Sequence, residues 1–443
     1  MRFGTFDSSQ VAGASSRVEQ RRRGPSRRSV LKSLAAETGA AGLSQLVKGS
    51  SALEQRPATG TSAAKWNGPN PRWYGFNLLE CFSTDSDWMK YFPYKNDGLF
   101  REDDFRWMSD WGFNFVRLPM DYRFWTDPND PMKIDERKTE PIDRAVRLGE
   151  KHGVHVNISL HRAPGFCILD GMDPVATGIH VTPEKTSFYD DRHTLDAFIH
   201  QWTFFARRYK GISNERVSFN LVNEPIPHLT PNERAELAES LKNQPGEAMQ
   251  REIAARGAKE YARVARAAIA GIRGIDPQRL IVSDGFGGGV TPVPELIGTD
   301  VLQSPHDYYP PAVSHYQCEW ARQWLKADEP PTWPLKDSQG KVIASRESIE
   351  NYVRPWRALQ QQGVPLHFGE MGCYKHTPPQ VVLAWYEDSL DVIGELGSGW
   401  ALWNFRGPFG ILDTERPGTK YQDWHGHQLD GPLLDLLQRK MKK

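Results

Sequence analysis

Two acidic residues close apolar runs that have no packing use for them. The stretches Phe219-Asn-Leu-Val-Asn223-Glu224-Pro225 and His367-Phe-Gly-Glu370-Met-Gly372 each end on a carboxylate, a group rarely buried unless it is paired or functional. Two carboxyl groups facing each other across a cleft suit glycoside hydrolysis. One must be protonated to serve the leaving oxygen, and the other ionised to attack the anomeric carbon or activate water. Their spacing sets the stereochemistry, with about 5–5.5 Å meaning a covalent intermediate and retained configuration. In such a pair one carboxyl is expected to carry a raised pKa, through partial burial and the nearby charge of the other, which stays ionised.

Other polar residues close neighbouring runs. Arg117, in Val116-Arg-Leu-Pro119, suits holding a carboxylate ionised and oriented, and suits equally a brace through backbone carbonyls. His161 ends a run in Leu160-His-Arg-Ala-Pro-Gly165, and His306 and Tyr308 lie in Ser304-Pro-His-Asp-Tyr-Tyr-Pro310. Strand alternation puts positions 306 and 308 on one side, which favours Tyr308 over Tyr309. Trp403, in Ala401-Leu-Trp-Asn-Phe405, offers an indole that could floor a sugar or fill a core. Glu80 ends an earlier run before Cys81, where it suits either a sugar hydroxyl or an ion pair with Arg162. There is no His-x-x-x-His pair and no cluster of His and Cys, so neither a metal nor another cofactor is expected.

Stepping outward to the elements, eight short apolar runs alternate with amphipathic stretches. The runs are Trp73–Glu80, Phe113–Met120, His155–His161, Val217–Glu224, Arg279–Gly285, Val301–Tyr308, Pro365–Gly372 and Gly399–Phe405. Near-continuous apolar runs suit parallel strands covered by helices. Helices are predicted over Arg101–Trp111, Pro141–His152, Asp191–Tyr209, Lys259–Gly274, Glu347–Gln362, Pro378–Glu395 and Pro432–Lys442; the fifth crossover, Pro292–Gly298, is the weakest. Eight such units over residues 66–443 predict a (β/α)8 TIM barrel, one α/β domain with long insertions at 162–190, 226–256 and 309–346. In a barrel those insertions and all the strand ends above share the catalytic face. A doubly wound sheet fits less well. The glycine cluster at 285–289 lacks a following Lys-Ser/Thr and is expected to be a loop and not a phosphate cradle.

Residues 1–52 resemble an export address. Ser26-Arg27-Arg28-Ser29-Val30-Leu31-Lys32 is similar to a twin-arginine signal, followed by a mildly apolar segment and small residues at 50–52. A basic tail or nucleic-acid-binding arm is the alternative. Residues 53–65 are small and polar, as in a linker. The expected location is therefore outside the cytoplasm, periplasmic or extracellular. The 443 residues carry 55 Lys+Arg and 55 Asp+Glu, and this balance gives no support to a nucleic-acid partner. Beyond the N-terminal region no apolar run approaches the ~18 residues of a membrane span. Four cysteines without a close pair make neither a disulfide scaffold nor a zinc ribbon.

Taken in order, the motifs VRLP, LHRAPG, NEP, HDYYP, GEMG and ALWNF over about residues 70–443 resemble glycoside hydrolase family 5, the cellulase family. The resemblance implies Glu224 as acid/base, Glu370 as nucleophile and Asn223 as the amide that binds the sugar 2-hydroxyl. Arg117 and His161 would be supports, His306 and Tyr308 would line the subsite and position the nucleophile, and Trp403 would be the platform of the reacting sugar. The implied activity is retaining hydrolysis of β-linked glycans, endoglucanase-like. β-Mannanase action, exo-action on short oligosaccharides and a non-catalytic carbohydrate-binding barrel are the alternatives. The acidic ending at Glu80 departs from the family's cellulase pattern and leaves the sugar open.

Overall fold

The structure is a computed structural model, and it describes residues 71–90, 99–171, 174–228, 246–322, 325 and 329–442. The export signal, the linker and most of the 226–256 insertion lie outside the described residues.

Eight parallel strands form in chain order: β1 (Tyr74–Asn77), β2 (Phe115–Asp121), β3 (His155–Ala163), β4 (Val217–Asn220), β5 (Ile281–Asp284), β6 (Val301–Ser304), β7 (His367–Phe368) and β8 (Gly399–Leu402). They are ordered β7-β8-β1-β2-β3-β4-β5-β6. The ring is completed between β6 and β7 by the parallel bridge Gln303–Leu366 and by the pairing of His306–Asp307 with Glu370–Met371. Each predicted run contains one of these strands, and the runs at 301–308 and 365–372 each hold a second short segment, His306–Asp307 and Glu370–Met371. The helices that cover them are α1 (Glu102–Asp110), α2 (Glu140–His152), α3 (Arg192–Arg208), α4 (Gly246–Arg273), α5 (Arg346–Gln360), α6 (Pro379–Glu395) and α7 (Gly431–Met441). The expected (β/α)8 barrel is therefore the fold, and the fifth crossover holds only two short turns, Phe286–Gly289 and the 3-10 turn Pro294–Leu296.

Local chemistry sets the boundaries. Asp191 caps α3 by accepting from the Thr194 amide, Ser345 opens α5 with a capping box, and α2 stops at Gly153 with φ 69°, a conformation glycine adopts without steric cost. Val116, Leu118, Met120, Val156, Ile158 and Leu160 are buried in the main apolar core. The alternate positions of the same strands are polar or aromatic. At the bottom of the barrel Trp73 stacks on His155 (3.9 Å) and Phe115 (5.3 Å), with His367 against Phe115 (4.4 Å). Burial holds both imidazoles neutral, with pKa values lowered to about 3. Above this floor Asn77, Arg117 and Asn220 fill the lumen.

Candidate active site

Arg117, on β2 and 1% exposed, is the hub of the barrel mouth. Its Nη1 donates to Glu370 Oε1 at 2.5 Å and to Asn77 Oδ1 at 3.1 Å. Its Nε donates to Asn220 Oδ1 at 2.7 Å, and Nη2 donates to Asn223 Oδ1 at 2.9 Å and Asp284 Oδ2 at 3.2 Å. A guanidinium offers five donors in a fixed fork, so five acceptors from β1, β4, β5 and β7 fix its plane. Glu370 receives a second bond from Tyr308 Oη at 3.0 Å.

Glu224 approaches from the opposite side of the ring. Its backbone has φ 47°, a left-handed conformation uncommon for non-glycine residues and often found at functional sites. The Glu224 amide donates to Asp284 Oδ2 at 3.2 Å, which helps hold that turn. His306 bridges the two acids. Its Nδ1 lies 2.8 Å from Glu224 Oε1 and 3.6 Å from Glu370 Oε2, and its Nε2 lies 3.2 Å from Asp284 Oδ2. One oxygen of each glutamate and one nitrogen of His306 all lie within 4.8 Å of one another. Two carboxyl groups this close match the retaining arrangement.

The electrostatics differ from the sequence expectation in one respect. Burial pushes the Glu370 carboxyl up to about 7; His306 and Arg117 pull it down, and the charge of Glu224 pushes it up again. Glu370 is the more enclosed acid, its side chain 4% exposed against 17% for Glu224, so desolvation falls on the expected nucleophile. His306 is cationic: burial opposes its charge, but Glu370 and Asp284 outweigh burial and hold its pKa at about 10. The three groups that come within 4.8 Å are the one candidate metal set among the described residues. Both ring nitrogens of His306 face carboxylates, Nδ1 at 2.8 Å from Glu224 and Nε2 at 3.2 Å from Asp284.

Asn223 is buried, with Oδ1 fixed by Arg117 and Nδ2 without a partner among the described residues. His161 is held neutral, chiefly by burial, and stacks on Trp403 at 5.4 Å. Trp403 is 5% exposed and packs in a second apolar cluster above the strand ends. Glu80 is buried but does not pair with Arg162. Its oxygen lies 3.7 Å from Arg101 Nη1. Arg162 is taken up instead by Glu184 (2.8 Å), Asp170 (3.3 Å) and Asp85 (3.4 Å), because the loop after β3 folds back over it.

Asp284 was not foreseen. It is fully buried at the end of β5 and accepts from Asn220, Arg117 and the Glu224 amide, besides its ion pair with His306. Burial works against its charge, yet His306 and Arg117 hold its carboxyl well below the usual range. Asp284 closes an apolar run as Glu224 and Glu370 do, and that signal was available in the sequence. The glycine cluster proves to be neighbouring packing. Gly289 has φ +80°, and a Cβ there would lie 2.6 Å from His306 Cγ.

Comparison with known proteins bears on the family and the fold. Residues 70–407 match the model of the cellulase family, glycosyl hydrolase family 5. A crystal structure described as a glycoside hydrolase is 36% identical, with TM-score 0.68, and the match covers 84% of this chain and 99% of that one. Endoglucanase C of Acetivibrio thermocellus is 20% identical over 70% of this chain and 85% of its own length. Cellodextrinase A of Ruminococcus flavefaciens is 32% identical over 140 residues, which span 31% of this chain and only 38% of that protein. The chain is a glycoside hydrolase and belongs to the cellulase family, glycosyl hydrolase family 5.

Proposed function

We propose that the protein is a retaining β-glycosidase that cleaves β-1,4-linked glucan chains or their oligosaccharides by double displacement. The observation that carries this is the closeness of the Glu224 and Glu370 oxygens, within 4.8 Å, with Glu370 gripped by Arg117 and Tyr308. In the first step Glu370 attacks C1, the C1–oxygen bond breaks, and the proton of Glu224 passes to the leaving oxygen. In the second, water adds to C1, its proton returns to Glu224, and Glu370 is released as a carboxylate. Once Glu370 is esterified its charge is gone, which favours ionised Glu224 as the base. Asn223 Nδ2 suits donation to the sugar 2-hydroxyl, Trp403 suits stacking beneath the ring, and Glu80 suits a more distant hydroxyl. The substrate class rests on the family and on the relatives named as endoglucanase and cellodextrinase.

The test is Glu370→Gln, expected to lose turnover by at least about 10⁴-fold while still binding oligosaccharide. NMR of the wild-type reaction should show β-anomer as the first product; first-formed α-anomer would exclude double displacement. Glu224→Ala should slow substrates with poor leaving groups far more than activated aryl glycosides, and equal losses would remove the acid/base role. The export assignment also belongs here: replacing Arg27 and Arg28 by Lys should leave the enzyme in the cytoplasm, and unchanged export would refute a twin-arginine route.

A further inference from the structure

The loops above the barrel enclose one side of the catalytic pair. Around Trp403 a single buried apolar cluster joins side chains from several different βα loops: Leu79 and Phe82 after β1, Ile179 after β3, Cys318 after β6 and Phe409 after β8. All of them are 5% exposed or less. β3 and β6 are far apart in the ring. Yet the short helix Pro174–Thr177 from the loop after β3 packs against the turn Glu319–Ala321 from the loop after β6. The shared cluster is built on Leu79 and Phe82 past β1, Tyr374 past β7, and Trp403 and Phe409 past β8, so that contact spans the ends of β7, β8 and β1.

Polar ties cross-link the same loops. The Thr182 amide donates to Asp85 Oδ1 at 3.2 Å, the Tyr374 amide donates to the Ser314 carbonyl at 2.7 Å, and Tyr374 Oη donates to Glu319 Oε2 at 2.6 Å. Packed apolar side chains with satisfied polar neighbours make a rigid wall and not a loose flap. Tyr308, whose hydroxyl holds Glu370, packs on this cluster, so the wall stands directly beside the nucleophile.

The direction of the substrate follows from the two acids. The leaving oxygen must lie at Glu224, on the β4 side. The sugar joined to Glu370 then points its far end away from Glu224, towards Trp403 and the wall. We propose that this wall blocks the glycone side of the cleft, so that the enzyme acts on the non-reducing end of a β-glucan and releases one or two sugar units at a time. This inference rests on the glycosidase reading and adds the mode of attack to it.

The experiment uses the full chain with cellopentaose and laminaripentaose labelled at the reducing end, each also prepared with its non-reducing end blocked by a 4,6-benzylidene group. The first labelled product is expected to be a tetrasaccharide or trisaccharide, and blocking should slow turnover by at least about a hundredfold. Labelled glucose or disaccharide appearing first, or equal rates on blocked and free substrate, would overturn the wall's role and leave the glycosidase reading intact. No hydrolysis of either series or of aryl β-glucosides would instead overturn the glycosidase reading, and this inference with it.

Discussion

The proposed nucleophile has to be ionised to attack, and Glu370 sits where burial opposes ionisation. Its pKa of about 7 is the balance of burial, which raises it, against His306 and Arg117, which lower it. Removing the imidazolium with His306→Asn disfavours the carboxylate, so the pKa rises. The acid limb of kcat/KM should move to higher pH, by on the order of one unit. A pH profile with an unmoved or more acidic limb would show that His306 carries no charge there. At this scale the sequence was most legible where a residue broke the local pattern. Glu224, Glu370, Arg117, His306 and Tyr308 were all visible as polar endings of apolar runs, and the structure brings them into hydrogen-bonding reach of one another. Asp284 broke the pattern equally but had no motif around it to draw notice. The partner of Glu80 could not be read at all, because Arg101 or Arg162 is selected by how the loops close.

Strands and helices were legible because their periodicity is local. Each of the eight runs contains a strand, and the cap residues Asp191, Gly153 and Ser345 sit where chain chemistry requires a boundary. Most strands proved shorter than the runs, although β3 continues past its run to Ala163. Leu221–Glu224, for instance, lie past β4, held to its neighbours by the Leu221 amide on the Val282 carbonyl and the Asn223 amide on the Leu160 carbonyl, and the turn at Glu224 is tied to Asp284, sixty residues away. The alternation of polar residues inside the lumen, such as His155, Asn157 and Ser159 on β3, was masked by reading the runs as simply apolar. The glycines at 285–289 carried a signal with a different meaning from the one considered. Gly289→Ala forces a Cβ against the His306 ring at a backbone angle that suits glycine. It should cost about 1–3 kcal/mol of stability and lower kcat by displacing the imidazole. Denaturant unfolding and steady-state kinetics together check this, and a variant with wild-type values in both would show that the loop can yield.

Over the whole molecule, acid tolerance depends on the floor of the barrel. His155 and His367 titrate near 3 in the fold and near 6.5 when unfolded. The unfolded chain therefore binds more protons as the pH falls below about 6.5, and stability declines. Between pH 7.5 and 5 each histidine should account for about 2 kcal/mol of loss. Urea unfolding at the two pH values measures it, and His367→Gln should flatten the difference. The mouth has a different charge balance. The carboxyl groups of Glu224, Glu370 and Asp284 face the cationic Arg117 and His306, so opposite charges offset one another there, inside a chain whose 55 acidic and 55 basic residues also cancel. Such a centre projects almost no long-range field towards an uncharged sugar. Added sodium chloride should therefore leave kcat/KM on neutral oligosaccharides flat from millimolar to molar ionic strength. A steep salt dependence would reveal an uncompensated charge at the entrance.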